Sequence, residues 1–265
     1  MDRIIYFLAR VMLLVFCFWG VIAVADTKSS VPILTYHRFD PSVPGSMTIN
    51  TAKFEEQLKW LKDNGYTVIP LKTLVSYLQG TGPAPSEKSV VITADDGHES
   101  VYAYMFPLIR KYNIPVTLFI YPSAISNASY AMTWKQLEEL QKTGLFDIQG
   151  HTYWHPNFKH EKKKLSLDEY QKFVDIQLNK SKGILEKKIG TPVTLLAWPF
   201  GIYDEYLEKE AVKAGYTMAF SIDARRASKS EKSMEQPRYM IVNQYSIKDF
   251  AAIIGGHSKV KGGSE

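Results

Sequence analysis

Ser89-Val90-Val91-Ile92-Thr93-Ala94-Asp95-Asp96-Gly97 is the stretch on which the fold turns. Its first five residues form a continuous, mostly β-branched run without alternation. That is the pattern of a parallel strand covered on both faces. The run ends in two adjacent carboxylates and a glycine, beyond the strand end where α/β folds place their sites.

The same grammar repeats on both sides. Val31 to Tyr36, Tyr66 to Ile69, Val116 to Tyr121, Phe146 to Gln149, Val193 to Trp198, Thr217 to Ser221 and Tyr239 to Val242 read as strands. Between them lie helical patterns: Phe54, Leu58 and Leu61 closed by Gly65, then Leu71 to Leu78, Val101 to Tyr112 and Trp134 to Lys142. A long helix carries Tyr170, Val174, Leu178, Leu185 and Ile189, and Glu205 to Ala214 and Ile247 to Ile254 complete the series. Thr81 to Ser86 is a turn-rich loop, and Lys162-Lys163-Lys164 reads as a solvated one. Alternating strands and helices predict an α/β fold, and about seven repeats favour a closed or nearly closed barrel over an open sheet.

The N-terminus is set aside. Arg3 and Arg10, an apolar stretch from Val11 to Ala23 and the ending Ala23-Val24-Ala25 read as a secretory signal peptide over residues 1–25. The rival reading is an uncleaved membrane anchor. A cleaved signal implies a secreted or periplasmic protein, touching the membrane only through that segment if it is retained. The single cysteine, Cys17, lies within it and lacks the preceding small residue of a lipoprotein signal. The mature chain therefore has no disulfide and depends on its core. Residues 26–254 are ample for a single domain, and the Gly-rich stretch 255–265 reads as a disordered tail. The net charge of +5 suits an envelope surface or an anionic glycan and is too diffuse to suggest nucleic acid.

Paired carboxylates at a strand end lose hydration and repel one another, and a divalent cation would offset that cost. The plainer reading of Asp95-Asp96-Gly97 is an N-cap for the following helix. Gly150-His151-Thr152-Tyr153-Trp154-His155-Pro156 tips the balance. Histidines four apart share a face of a helical turn and can converge on one ion. One carboxylate and two imidazoles leave positions open for water and substrate, the pattern of a catalytic rather than a structural metal. Metal-assisted hydrolysis of an acyl bond is the reaction class implied.

With these motifs in place, the sequence resembles the polysaccharide deacetylases with the NodB homology domain, carbohydrate esterase family 4. Thr93 to Gly97 is similar to the family's Thr-Phe-Asp-Asp-Gly, with Ala94 in place of Phe. His151 to Pro156 matches its His-Ser/Thr-x-x-His-Pro, and Leu196 to Tyr203 is similar to its third motif. The resemblance implies an irregular (β/α)7 barrel and the removal of N-acetyl groups from an N-acetylglucosamine-containing polysaccharide. By position, it makes Asp95 the general base, and Asp96, His151 and His155 the ligands of a divalent metal, with zinc expected and cobalt or nickel admitted. It also makes the Phe200 amide an oxyanion donor.

Two departures refine it. No late Leu-x-His is visible, and His257 sits in the tail. Thr35-Tyr36-His37-Arg38 instead resembles the permuted branch acting on poly-β-1,6-N-acetylglucosamine, which assigns the general acid to His37; the alternative is a histidine that closes the barrel by a hydrogen bond. The third motif lacks its usual early Arg. Gln236-Pro237-Arg238 is similar to that branch's Leu-Pro-Arg, so Arg238 either steadies Asp95 or lies on the surface. Of the aromatic residues near the motifs, Trp198 and Tyr203 are expected to face the cleft and contact sugar. A peptidoglycan or chitooligosaccharide substrate, and a glycan-binding protein without catalysis, remain alternatives. The chain is expected to act as a monomer.

Overall fold

Seven short parallel strands follow one another around the molecule: β1 (Ile33–Tyr36), β2 (Ser89–Asp95), β3 (Val116–Ile120), β4 (Phe146–Gly150), β5 (Leu195–Ala197), β6 (Met218–Phe220) and β7 (Tyr239–Met240). The computed structural model describes residues 30–43 and 45–256. The expected signal segment with Cys17, and His257 in the tail, lie outside the described residues. No described helix is long and apolar enough to cross a membrane.

The strand order is β7-β1-β2-β3-β4-β5-β6, so each strand pairs with its neighbour in sequence and β7 returns to β1. The curl is then bridged. Phe220 and Gln236 pair in parallel, with Gln236 N–H donating to Ala219 O and Ser221 N–H to Gln236 O, both at 2.9 Å. A few residues on, Tyr239 and Met240 align with Leu34 and Thr35 of β1. This is the nearly closed barrel that the βα repetition predicts, and the irregular (β/α)7 barrel in one domain that the family resemblance implies.

Side-chain alternation divides the interior from the outer layer. Ile33, Val91, Phe119, Leu195, Ala197, Met218 and Phe220 pack together inside the barrel. Leu71, Leu74, Val75 and Tyr77, from the helix Leu71–Leu78, join them. The intervening residues, among them Leu34, Val90, Ile92, Leu118, Ile120 and Leu196, pack against the outer helices. Both faces of β2 are buried, which is why its sequence shows no alternation.

The helices start on side-chain caps. Asn50 accepts from the amides of Ala52 and Lys53 at the helix Thr51–Asp63, and Ser166 with Glu169 forms a capping box at Leu167–Asp175. Some helical segments depart from the sequence reading. Lys162 to Lys164 are not a loop but the last turn of the helix Phe158–Lys164, capped by Asn157. The long helix runs through 167–189 but widens into a π turn at Ile176–Lys180. Such turns often mark functional positions.

Candidate metal centre and active site

The inward face of β2 changes character as the strand rises. Val91 is apolar, Thr93 polar and Asp95 charged, and all three are buried. Asp95 and Asp96 would point to opposite sides of an extended strand. Asp96 instead takes φ 74°, and Gly97 follows at φ 74°. The reversal brings both carboxylates to the barrel mouth. A Cβ on Gly97 would lie 3.0 Å from the Cδ1 atoms of Ile120 and Ile125, so both space and backbone select glycine there.

Residues 151–157 contain no helical turn, contrary to the expectation from histidine spacing. Convergence comes from left-handed residues, Thr152 at φ 63° and His155 at φ 60°. The two imidazoles meet with ring centroids 4.7 Å apart. Of six non-glycine residues with positive φ among the described residues, Asp96, Thr152, His155 and Phe200 belong to this site. A bulky residue such as Phe200 (φ 56°) is rare in that region, and strain of this kind gathers at functional sites.

Asp96 Oδ1 lies 3.5 Å from His151 Nε2 and 3.6 Å from His155 Nε2. These are long for hydrogen bonds, and the oxygen is buried without a hydrogen-bond partner. A tetrahedral ion with bonds of about 2.0–2.2 Å needs ligand atoms roughly 3.3–3.6 Å apart. The three residues therefore fit a divalent cation, and the orphaned oxygen is the atom such an ion would satisfy. His151 Nδ1 faces the Ala197 carbonyl at 2.7 Å. A carbonyl only accepts, so Nδ1 carries the proton and Nε2 keeps its lone pair toward Asp96. Burial, then the neighbouring His151, lowers His155 to about 4, leaving it neutral near pH 7. Burial alone would raise the Asp96 carboxyl, but the imidazoles of His151, His37 and His155 outweigh it and hold it well below its usual range.

Asp95 is gripped from β7's flank. Arg238 Nη1 and Nη2 donate to its Oδ1 and Oδ2 at 2.9 and 2.7 Å, a bidentate pair. Arg238 is 0% exposed, so the surface alternative for it is excluded. It also donates to Ser221 O and the hydroxyls of Thr35 and Thr93, and lies over the Phe119 ring at 5.1 Å. Burial pushes the Asp95 carboxyl up, yet Arg238, with His151, brings it below the ordinary value. Asp95 is thus ionised although buried, 4.0 Å from His151 Nε2.

His37 follows β1 directly. Its Nδ1 is buried without a partner, and both Asp96 and Asp95 act on its charge. Burial is the larger influence and lowers its pKa. Phe200 is 53% exposed, with its ring 4.5 Å from that of His155. The aromatic expectations divide. Trp198 is 0% exposed and donates its indole N–H to Met234 O, so it offers no face to a sugar, and that expectation is corrected. Tyr203 is partly exposed and stacks on Trp198.

Supports that the motif reading missed come from the long helix and from the residue that follows β3. Gln177, buried in the π turn, accepts from the amides of Tyr153 and Trp154 at 3.1 and 3.2 Å. Ser181 donates to Thr152 O at 2.7 Å. Tyr121 lays its ring 5.6 Å from that of His155 and shares a hydrogen bond with the Tyr130 hydroxyl. A polar Gln177 beside the apolar Val174 and Leu178 was the one visible signal.

Comparison with known proteins follows the same lines. A family signature described as polysaccharide deacetylase matches residues 82–219. YxkH of Bacillus subtilis is 29% identical over 229 residues, 86% of this chain and 77% of that protein. A Staphylococcus epidermidis protein named poly-β-1,6-N-acetyl-D-glucosamine N-deacetylase is 28% identical over 234 residues, 82% of this chain and 80% of its own. The structure of the Streptococcus pyogenes deacetylase PplD superposes with a TM-score of 0.76 at 23% identity, covering 86% of this chain and 99% of that one. At that identity the likeness concerns the fold alone.

Proposed function

The chain belongs to the polysaccharide deacetylase family, and on that premise we propose that it is a metal-dependent hydrolase removing N-acetyl groups from poly-β-1,6-N-acetylglucosamine. One observation carries the metal dependence. Asp96, His151 and His155 bring their ligand atoms within 4.8 Å of one another around a buried, unpartnered carboxylate oxygen. The polymer assignment rests on the Staphylococcus epidermidis relative and on Tyr36-His37 at the end of β1.

A divalent cation held there, zinc by the chemistry of the donor set, would polarise the acetamide carbonyl and lower the pKa of a water. The remaining roles fall to the chain. Asp95, kept ionised by Arg238, takes the proton of the attacking water. The Phe200 amide donates to the oxyanion as the carbonyl becomes tetrahedral. His37 in its protonated form delivers a proton to the leaving amine, and acetate and a glucosamine unit separate. Because burial lowers the His37 pKa, that form becomes scarce as pH rises, and turnover falls on the alkaline side. Residues 1–25 carry the enzyme out of the cytoplasm, and it works outside as a secreted or periplasmic monomer.

Acetate release from β-1,6-linked and β-1,4-linked N-acetylglucosamine oligomers, with and without chelator, tests this reading. Faster release from the β-1,6 oligomer, abolished by chelator and restored by zinc, is the expected result. Preference for the β-1,4 oligomer would move the substrate to peptidoglycan or chitin fragments. Release indifferent to chelator would remove the metal from the mechanism.

A further inference from the structure

The two histidines of the metal centre are held by different means. His151 is fixed to the barrel itself: its amide donates to Ile120 O at 2.9 Å and its Nδ1 to Ala197 O at 2.7 Å. His155 has no hydrogen bond to orient its ring among the described residues. The Phe200 and Tyr121 rings flank it, at 4.5 and 5.6 Å between centroids. Its place is therefore set by the backbone of residues 152–155, left-handed at Thr152 and again at His155. Such a conformation costs free energy in non-glycine residues and persists only where the surroundings impose it.

What imposes it comes from one place later in the chain. Gln177 and Ser181, both 0% exposed, reach the loop from the π turn Ile176–Lys180 and the helix that resumes after it. Ser181 Oγ donates to Thr152 O, and Gln177 Oε1 accepts from the amides of Tyr153 and Trp154. The peptide unit joining Thr152 to Tyr153 is thus held at both its oxygen and its N–H. The next unit is held at its N–H by Gln177 and at its oxygen by the Ser123 amide. Both units lie immediately before His155. Gln177 Nε2 is buried without a partner, so the oxygen is the atom that does the holding. The wider turn buries Gln177 beside Leu178, so a polar side chain and a core residue face inward together.

We propose that Gln177 and Ser181 are positioning residues for the metal centre, holding the 152–155 loop so that His155 stays within ligating reach of Asp96 and His151. The proposal rests on the metal-dependent reading above and extends it to two residues that do not themselves ligate. His151 needs no such help, since strands on either side fix it. A change in the π turn is therefore felt at one ligand of the three. Groups that orient a ligand in this way are typically worth about 10–100-fold in metal affinity.

Zinc binding to the chelator-stripped full chain, measured by competition with a chromophoric chelator, tests this. Gln177→Met keeps the volume and removes the acceptor, and zinc should bind about 10–100-fold more weakly. Gln177→Glu keeps an oxygen for both amides and gives up no bond, since Nε2 makes none. Its zinc affinity should stay near that of wild type. Ser181→Ala should weaken zinc binding about 2–10-fold, and it carries the test if Gln177→Met does not fold. Hydrogen exchange in Gln177→Met should quicken at the Tyr153 and Trp154 amides and stay slow at His151. A lower thermal unfolding midpoint with wild-type zinc affinity in Gln177→Met and Ser181→Ala would make both residues merely structural and overturn the proposal. Zinc binding by Gln177→Glu as weak as by Gln177→Met would overturn it equally. Wild-type protein that binds no zinc would instead overturn the metal-dependent reading, and this inference with it.

Discussion

Two layers of the same barrel interior, one residue pair apart, are built on opposite terms. The lower layer, with Ile33, Val91, Phe119, Leu195 and Phe220, is apolar and sealed by the helix Leu71–Leu78. The upper layer, with Thr35, Thr93, Asp95 and Arg238, is polar and equally buried. The strands that supply both are continuous, so backbone geometry does not explain the difference. Burial stabilises the lower layer by about 1.5–3 kcal/mol for each large apolar side chain. In the upper layer the desolvation of Asp95 and Arg238 consumes most of what their attraction returns. A buried ion pair there is kept for what it holds ready, an ionised carboxylate in a dry mouth.

The sharpest way to break this contrast is Asp95→Asn. It removes the proposed base while preserving shape, and acetate release should fall about 10²–10⁴-fold. Metal content, read by atomic emission, should stay at one ion per chain. Activity near wild type would refute the base assignment.

Arg238→Met comes next. It leaves Asp95 buried without its partner, and urea unfolding should register a loss of about 3–5 kcal/mol. Adding Asp95→Leu to that variant should recover part of the loss, because the uncompensated charge is gone. A double variant less stable than the single one would mean that the pair itself stabilises the barrel.

Acid titration separates the layers more gently. The folded Asp95 carboxyl lies below its unfolded value of about 3.9. Its contribution to stability is therefore complete above that value and is lost as pH falls toward the folded pKa. Chelated wild-type protein should lose urea resistance over that acid range. Asp95→Asn should show a shallower loss.

The smallest effect belongs to the lower layer. Ile33→Val should cost about 0.5–1.5 kcal/mol and leave turnover per folded molecule unchanged. A change in turnover would show that the apolar layer also positions the reacting groups.

The outline of the fold was legible in the chain because βα repetition leaves periodic marks. Fully buried β2 reads as an uninterrupted run, and the helix Ile247–Ile254 has the bounds that its pattern predicts. The short strand pair Arg38–Asp40 and Thr48–Asn50 left no such mark, since three-residue strands carry too few positions to show a period. The site was legible in kind. Asp96, His151 and His155 could be picked out because few other chemistries place those residues at that spacing.

What the sequence determined by itself was therefore the alternation of elements and which side chains are candidates for the site. Both are local properties, written within a few residues of one another. The tertiary structure decided which groups meet. It sets Arg238 against Asp95 across 143 residues of chain, buries Trp198 with its indole satisfied, and uses Gln177 to hold the histidine loop. It also replaces the expected helical turn between the histidines with left-handed residues. Apolar periodicity carries no record of the sign of φ, and long-range contacts exist only once the barrel closes. Asp95, Asp96 and Gly97 remain the hinge of both accounts: their order names the chemistry, and the reversal at Asp96 gives it a shared centre.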